Sequence, residues 1–143
     1  MCDWKACRIL GLYLVALLGC GSGDIGQVVG TVTLDGKPLP NARLEFFPAD
    51  GGGLSAGRTD ANGKYELFYG REAMGAEVGE HLVQIRTAGA GPAEGDYGSS
   101  AAEKLPVRYN NKSELKRTVK PGRNVIDFEL ESKGVIVQPK SGY

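Results

Sequence analysis

The segment "VVGTVTLDGKPLPNARLEFF" (residues 28–47) is two alternating runs joined by a turn, and its period decides the fold class. In the first run Val28, Val32 and Leu34 share one face, while Val29, Thr31 and Thr33 share the other. That period of two is the mark of a half-buried strand. Between the runs, Pro38 and Pro40 forbid a helix, and Gly36 is free to take a positive φ. The second run sets Ala42, Leu44 and Phe46 against Arg43, Glu45 and Phe47. Each run therefore offers one apolar face to a core.

The same pattern repeats downstream. A short strand is predicted near residues 55–59, after the break "PADGGG" (48–53). In "TDANGKYEL" (59–67), Asp60 can bond its own backbone two residues on, and Asn62 and Gly63 tolerate left-handed geometry. Tyr65, Leu67 and Tyr69 then face one side, with Lys64, Glu66 and Phe68 opposite. "GEHLVQIRT" (79–87) turns Val83 and Ile85 inward and Gln84 and Arg86 outward. "ELKRTV" (114–119) and "NVIDFEL" (124–130) flank Pro121-Gly122 and read as a hairpin, with Ile126, Phe128 and Leu130 inward. About seven strands with a turn every 8–15 residues predict an all-β sandwich. Residues 71–79 have room for one helical turn, and 135–137 for a short edge strand. The 88–106 stretch, rich in Gly, Ala and Ser, is a long loop of the kind that is usually functional or mobile.

The N-terminus is a different polymer. Lys5 and Arg8 precede an unbroken apolar run, "ILGLYLVALLG" (9–19). A spanning helix needs about 20 apolar residues, so this run fits the core of a signal peptide better than a permanent span. Its end, Leu17-Leu18-Gly19-Cys20, resembles the lipobox of bacterial lipoproteins, although Leu18 departs from the smaller or β-branched residues commoner there. The resemblance implies cleavage before Cys20, a diacylglyceryl group on its thiol and a further acyl chain on the freed amine. The alternative is a plain secretory signal cut nearby, leaving Cys20 an ordinary thiol. The other cysteines, Cys2 and Cys7, both lie in the leader, so Cys20 has no disulfide partner in the mature chain.

With the leader go Lys5, Arg8 and Asp3, leaving 15 basic and 16 acidic side chains. Such a balance gives no electrostatic support for nucleic-acid binding. The expected organisation is a signal peptide at 1–19, a lipidated cysteine and glycine-rich tether at 20–27, one sandwich domain at 28–132 and a tail at 133–143. Glycine, at 22 of 143 residues, suits a turn-rich β protein.

The segments "GTVTLDGKPLPNARLEFFPAD", "GRTDANGKYEL", "VGEHLVQI" and "VKPGRNVIDFEL" resemble carboxypeptidase-regulatory-like, or transthyretin-like, domains. The order and spacing are similar to those of small bacterial lipoproteins built of one such domain. The resemblance implies a seven-stranded, prealbumin-like Greek-key β-sandwich. It implies no peptidase activity, because in carboxypeptidases this domain accompanies a separate zinc domain.

Candidates for chemistry are few. His81 is the sole histidine, so a zinc site lacks ligands and a general base lacks an evident nucleophile. The run from Asp60 departs from the calcium loop of an EF-hand, with Tyr65 where glycine is required and Arg71 where glutamate is. No catalytic residue, metal or cofactor is expected. Tyr69, Tyr97 and Tyr109 border or lie in loops and could stack on sugars or peptide side chains. With Arg108 and Asn110 they make the expected binding surface. The leading expectation is a non-catalytic lipoprotein of the cell envelope, held on the outer or periplasmic side of a membrane through acylated Cys20. Its partner would be an envelope protein or a glycan.

Overall fold

Ten residues of alternation make β1 (Ile25–Leu34) the axis of one sheet. The computed structural model describes residues 24–71, 73–89 and 101–140. The expected signal peptide (1–19), Cys20, the first part of the tether, Tyr97 and the middle of the 88–106 loop lie outside the described residues.

After β1 come β2 (Lys37–Pro38), β3 (Arg43–Pro48), β4 (Ser55–Arg58), β5 (Lys64–Glu66), β6 (Phe68–Tyr69), β7 (Ala73–Met74) and β8 (Ala76–Glu77). They are followed by β9 (Gly79–Arg86), a 3-10 turn at Val107–Tyr109, β10 (Leu115–Val119), β11 (Arg123–Val125) and β12 (Phe128–Leu130). The described residues are all-β, in two sheets. In the first, β2, β5 and β8 run antiparallel to β1, and β11 and β12 run parallel to it. Val29 pairs with both Glu66 and Val125, so β5 and β11 lie on opposite sides of β1. The second sheet is antiparallel throughout, in the order β10-β9-β3-β4-β6-β7.

The inward faces follow the alternation. Val28 and Val32 of β1, Leu44 and Phe46 of β3, and Val83 and Ile85 of β9 are fully buried. Phe128 and Leu130 of β12 close the core from the other sheet. Each such side chain contributes about 1.5–3 kcal/mol by leaving water. The Phe46 ring meets Phe128 edge-on at 6.2 Å between centroids and His81 at 5.8 Å.

The turn after Thr59 forms as its residues require. Asp60 Oδ1 accepts from the backbone N–H of Asn62 (2.8 Å) and Lys64 (3.0 Å). Buried Thr59 ties the preceding loop to β3: its hydroxyl donates to Leu39 O at 2.6 Å and accepts from Ala42 N at 2.8 Å.

Three local expectations are corrected. Residues 114–130 are no hairpin: β10 joins β9, and β11 joins β1 in the other sheet. Both segments carry an inward apolar face, so either sheet satisfies the pattern. The turn is closed instead by Asn124, whose amide donates to Lys120 O (2.8 Å) and Gln27 O (3.1 Å) and accepts from Lys120 N (2.9 Å). Around residue 75 the chain forms β7 and β8 rather than a helical turn. Residues 135–137 form no strand and stay exposed, although Val135 O accepts from Val107 N at 2.8 Å.

Candidate functional site

Where β5 runs into β6, the chain passes from one sheet to the other. Leu67 sits at the crossing, buried, with its N–H on Val28 O at 3.0 Å. The alternation continues across it, so Lys64, Glu66 and Phe68 all point outward. An open groove of about 1590 Å³ follows this crossing. Val29, Thr31 and Val125 line it from the first sheet, and Arg43, Ala56 and Arg58 from the second. Lys64, Arg71 and Arg123 add cations, and Asp60, Glu66 and Asp127 add carboxylates.

Much of this charge is already engaged. Asp127 accepts from Thr31 N at 2.8 Å, Glu66 from the Gln27 amide at 3.2 Å, and Arg43 pairs with Glu45 at 2.9 Å. Tyr65 donates its hydroxyl to Ile126 O at 2.5 Å. Burial, with Asp127 nearby, raises its pKa far above that of an ordinary phenol, so it stays a neutral donor. Phe68 and Val125 leave apolar surface in the groove, at 47% and 66% exposure.

The residues singled out in the sequence divide into two places. Tyr69 is half-buried near the start of β1, where its hydroxyl donates to Glu77 Oε1 at 2.8 Å. That bond is the main reason its pKa is raised. The glycine-rich stretch before β4 packs on the ring: a Cβ at Gly53 would stand 2.5 Å from it. Arg108, Tyr109 and Asn110 do come together, at the far end of β1. Tyr109 is buried, and its hydroxyl accepts from Glu131 N (3.1 Å) and Arg108 Nη2 (3.2 Å). The Arg108 guanidinium stacks 4.7 Å from that ring and donates to Glu131 O and Lys133 O. Asn110 is buried over Leu105 O and Pro106 O. Arg108 and Tyr109 form the socket of the chain after β12, so Tyr69 and Tyr109 present no shared flat face. Tyr97 lies outside the described residues.

His81 is in the core rather than in the groove. It is 1% exposed, and its Nδ1 donates to Gly79 O at 3.1 Å.

One buried charge gave no signal in the sequence. Glu103, inside the expected loop, is 7% exposed. Its Oε1 accepts from Thr87 N (3.1 Å), Thr87 Oγ1 (3.0 Å) and Leu105 N (3.0 Å). Gln138 brackets its backbone from both sides, at 2.8 and 2.9 Å. Glu103→Ala would leave several buried donors without an acceptor and should cost about 2–4 kcal/mol, read as a lower urea midpoint. Glu103→Gln, which keeps one acceptor oxygen, should lose less.

No protein-family model matches the chain, and no curated protein matches it. Among solved structures it is similar to a DUF3823 family protein from Parabacteroides merdae ATCC 43184, at 16% identity and a TM-score of 0.43. The similarity covers 76% of this chain and 46% of that one.

Proposed function

We propose that this protein is a lipid-anchored lipoprotein of the cell envelope, whose β-sandwich serves in binding or scaffolding rather than catalysis. The observation that carries the reading is the apolar run 9–19 ending in Leu17-Leu18-Gly19-Cys20. Asp24, four residues after Cys20, is already tied to the domain: its O accepts from Val78 N at 2.8 Å. Acyl chains on Cys20 would hold the domain close against its membrane. One chain binds marginally, whereas two or three, at about 0.8 kcal/mol per buried methylene, give a lasting anchor. The function is then physical: confinement to a surface raises the domain's effective concentration toward envelope partners.

The finer fold belongs to the same reading. Counting β5–β6 and β11–β12 as one bent strand each, with β1, β3, β4, β9 and β10, gives seven principal strands. That number supports the prealbumin-like, carboxypeptidase-regulatory-like resemblance of residues 28–132.

The test is to grow producing cells with a labelled fatty acid. The wild-type chain should carry the label and sediment with membranes. Cys20→Ser should lose both the label and the sedimentation. A mature N-terminus other than an acylated Cys20, found by mass spectrometry, overturns the reading.

A further inference from the structure

We infer that the outer face of β4, β6 and β7 rests on the lipid bilayer, with Leu54, Phe68 and Met74 as the contacting side chains. The inference depends on the lipid anchor proposed above and adds which side of the domain meets the membrane.

Ala56 pairs with Phe68, and Phe68 with Met74, so the three form one row across the strands on one face. Leu54 immediately precedes β4, two residues before Ala56. Leu54, Phe68 and Met74 are 40%, 47% and 53% exposed. Three large apolar side chains grouped on the outside of a sheet mark a surface that something covers.

The tether says what covers them. Two residues beyond Met74, Ala76 pairs with Gly26 and Glu77 with Ile25, placing the patch beside the start of β1. Cys20 stands four residues before Asp24, a reach of at most about 14 Å when fully extended. So short a link keeps the beginning of β1 near the membrane surface. The apolar face on that side is the one that can settle into the boundary between head groups and acyl chains. The opposite end of β1, with the turn at Lys37, lies about 30 Å away at the usual rise of a strand.

The leader holds the only tryptophan, Trp4, so the mature chain is dark at indole wavelengths and single probes can be read cleanly. Phe68→Trp, Met74→Trp and Lys37→Trp would each be made in the full chain and purified from membranes. Their mass should first be checked for the acylated Cys20. They would then be placed in vesicles of phosphatidylethanolamine and phosphatidylglycerol with bromine on the acyl chains near the head group. The indoles at 68 and 74 should be quenched on the order of twofold, and the one at 37 should not. Lys37→Trp carries the same ring, so any general liking of tryptophan for interfaces cancels. Two sites on the patch keep the result readable if one variant folds poorly. Acylated protein with all three indoles equally bright overturns the inference and leaves the anchor standing. Protein without an acyl mass overturns both.

Discussion

Gly30→Ala should destabilise the domain by at least about 3 kcal/mol, beyond the usual range for one added methyl in a core. A Cβ at Gly30 would stand 1.9 Å from Ile126 O and 2.7 Å from its carbonyl carbon, both backbone atoms. Neither side can yield easily. Ile126 N is bonded to Val29 O at 2.8 Å, while Gly30 also pairs with Tyr65 across β5. β1 thus has neighbours on both sides at this residue, and relieving the clash means pulling the parallel strands away. Gly36→Ala is the matched control. Gly36 has φ +80° with nothing within 4 Å, so that change carries backbone strain alone, about 1 kcal/mol. Urea denaturation of the two variants separates overlap from strain. Equal midpoints would show that β1 and β11 are not held at the described spacing.

Phe46→Ala should cost about 3–5 kcal/mol, a large share of the stability of a domain this size. Phe46 is fully buried and is the ring on which Phe128 and His81 both pack. Its removal empties the space between the sheets at the level of β3, β9 and β12. Phe46→Leu keeps most of the volume and should lose much less. Because Phe46 and Phe128 touch, the double variant with Phe128→Ala should lose less than the two single losses combined. Additive losses would mean the rings pack independently.

The core faces were readable wherever a strand has one wet side. Val28 and Val32, Leu44 and Phe46, and Val83 and Ile85 lie inward as their alternation requires. The turn at residues 59–64 was readable for a similar reason, since Asp60 supplies the acceptor its own backbone needs. Partner choice was not. Residues 114–130 present two good strands and a good turn, yet the turn spans the sheets, because Asn124 bonds across it and to Gln27, 97 residues away. Local pattern carries no record of such a distant partner. Phe68 did leave a trace, as an apolar residue in phase with Lys64 and Glu66. Glu103 left none: a carboxylate within a stretch of small residues reads as solvated until its donors are seen.

Parallel pairing of β1 with β11 and β12 joins the opening of the domain to its close, as between Thr31 and Asp127, 96 residues apart. Ring closure on that scale is costly and slow, and nearest-neighbour hairpins cannot complete it. A growing polypeptide therefore holds its founding strand half-paired until the last segment is delivered. Assembly is deferred to the moment of release, and any truncation before Arg123 leaves one side of β1 open to mispairing.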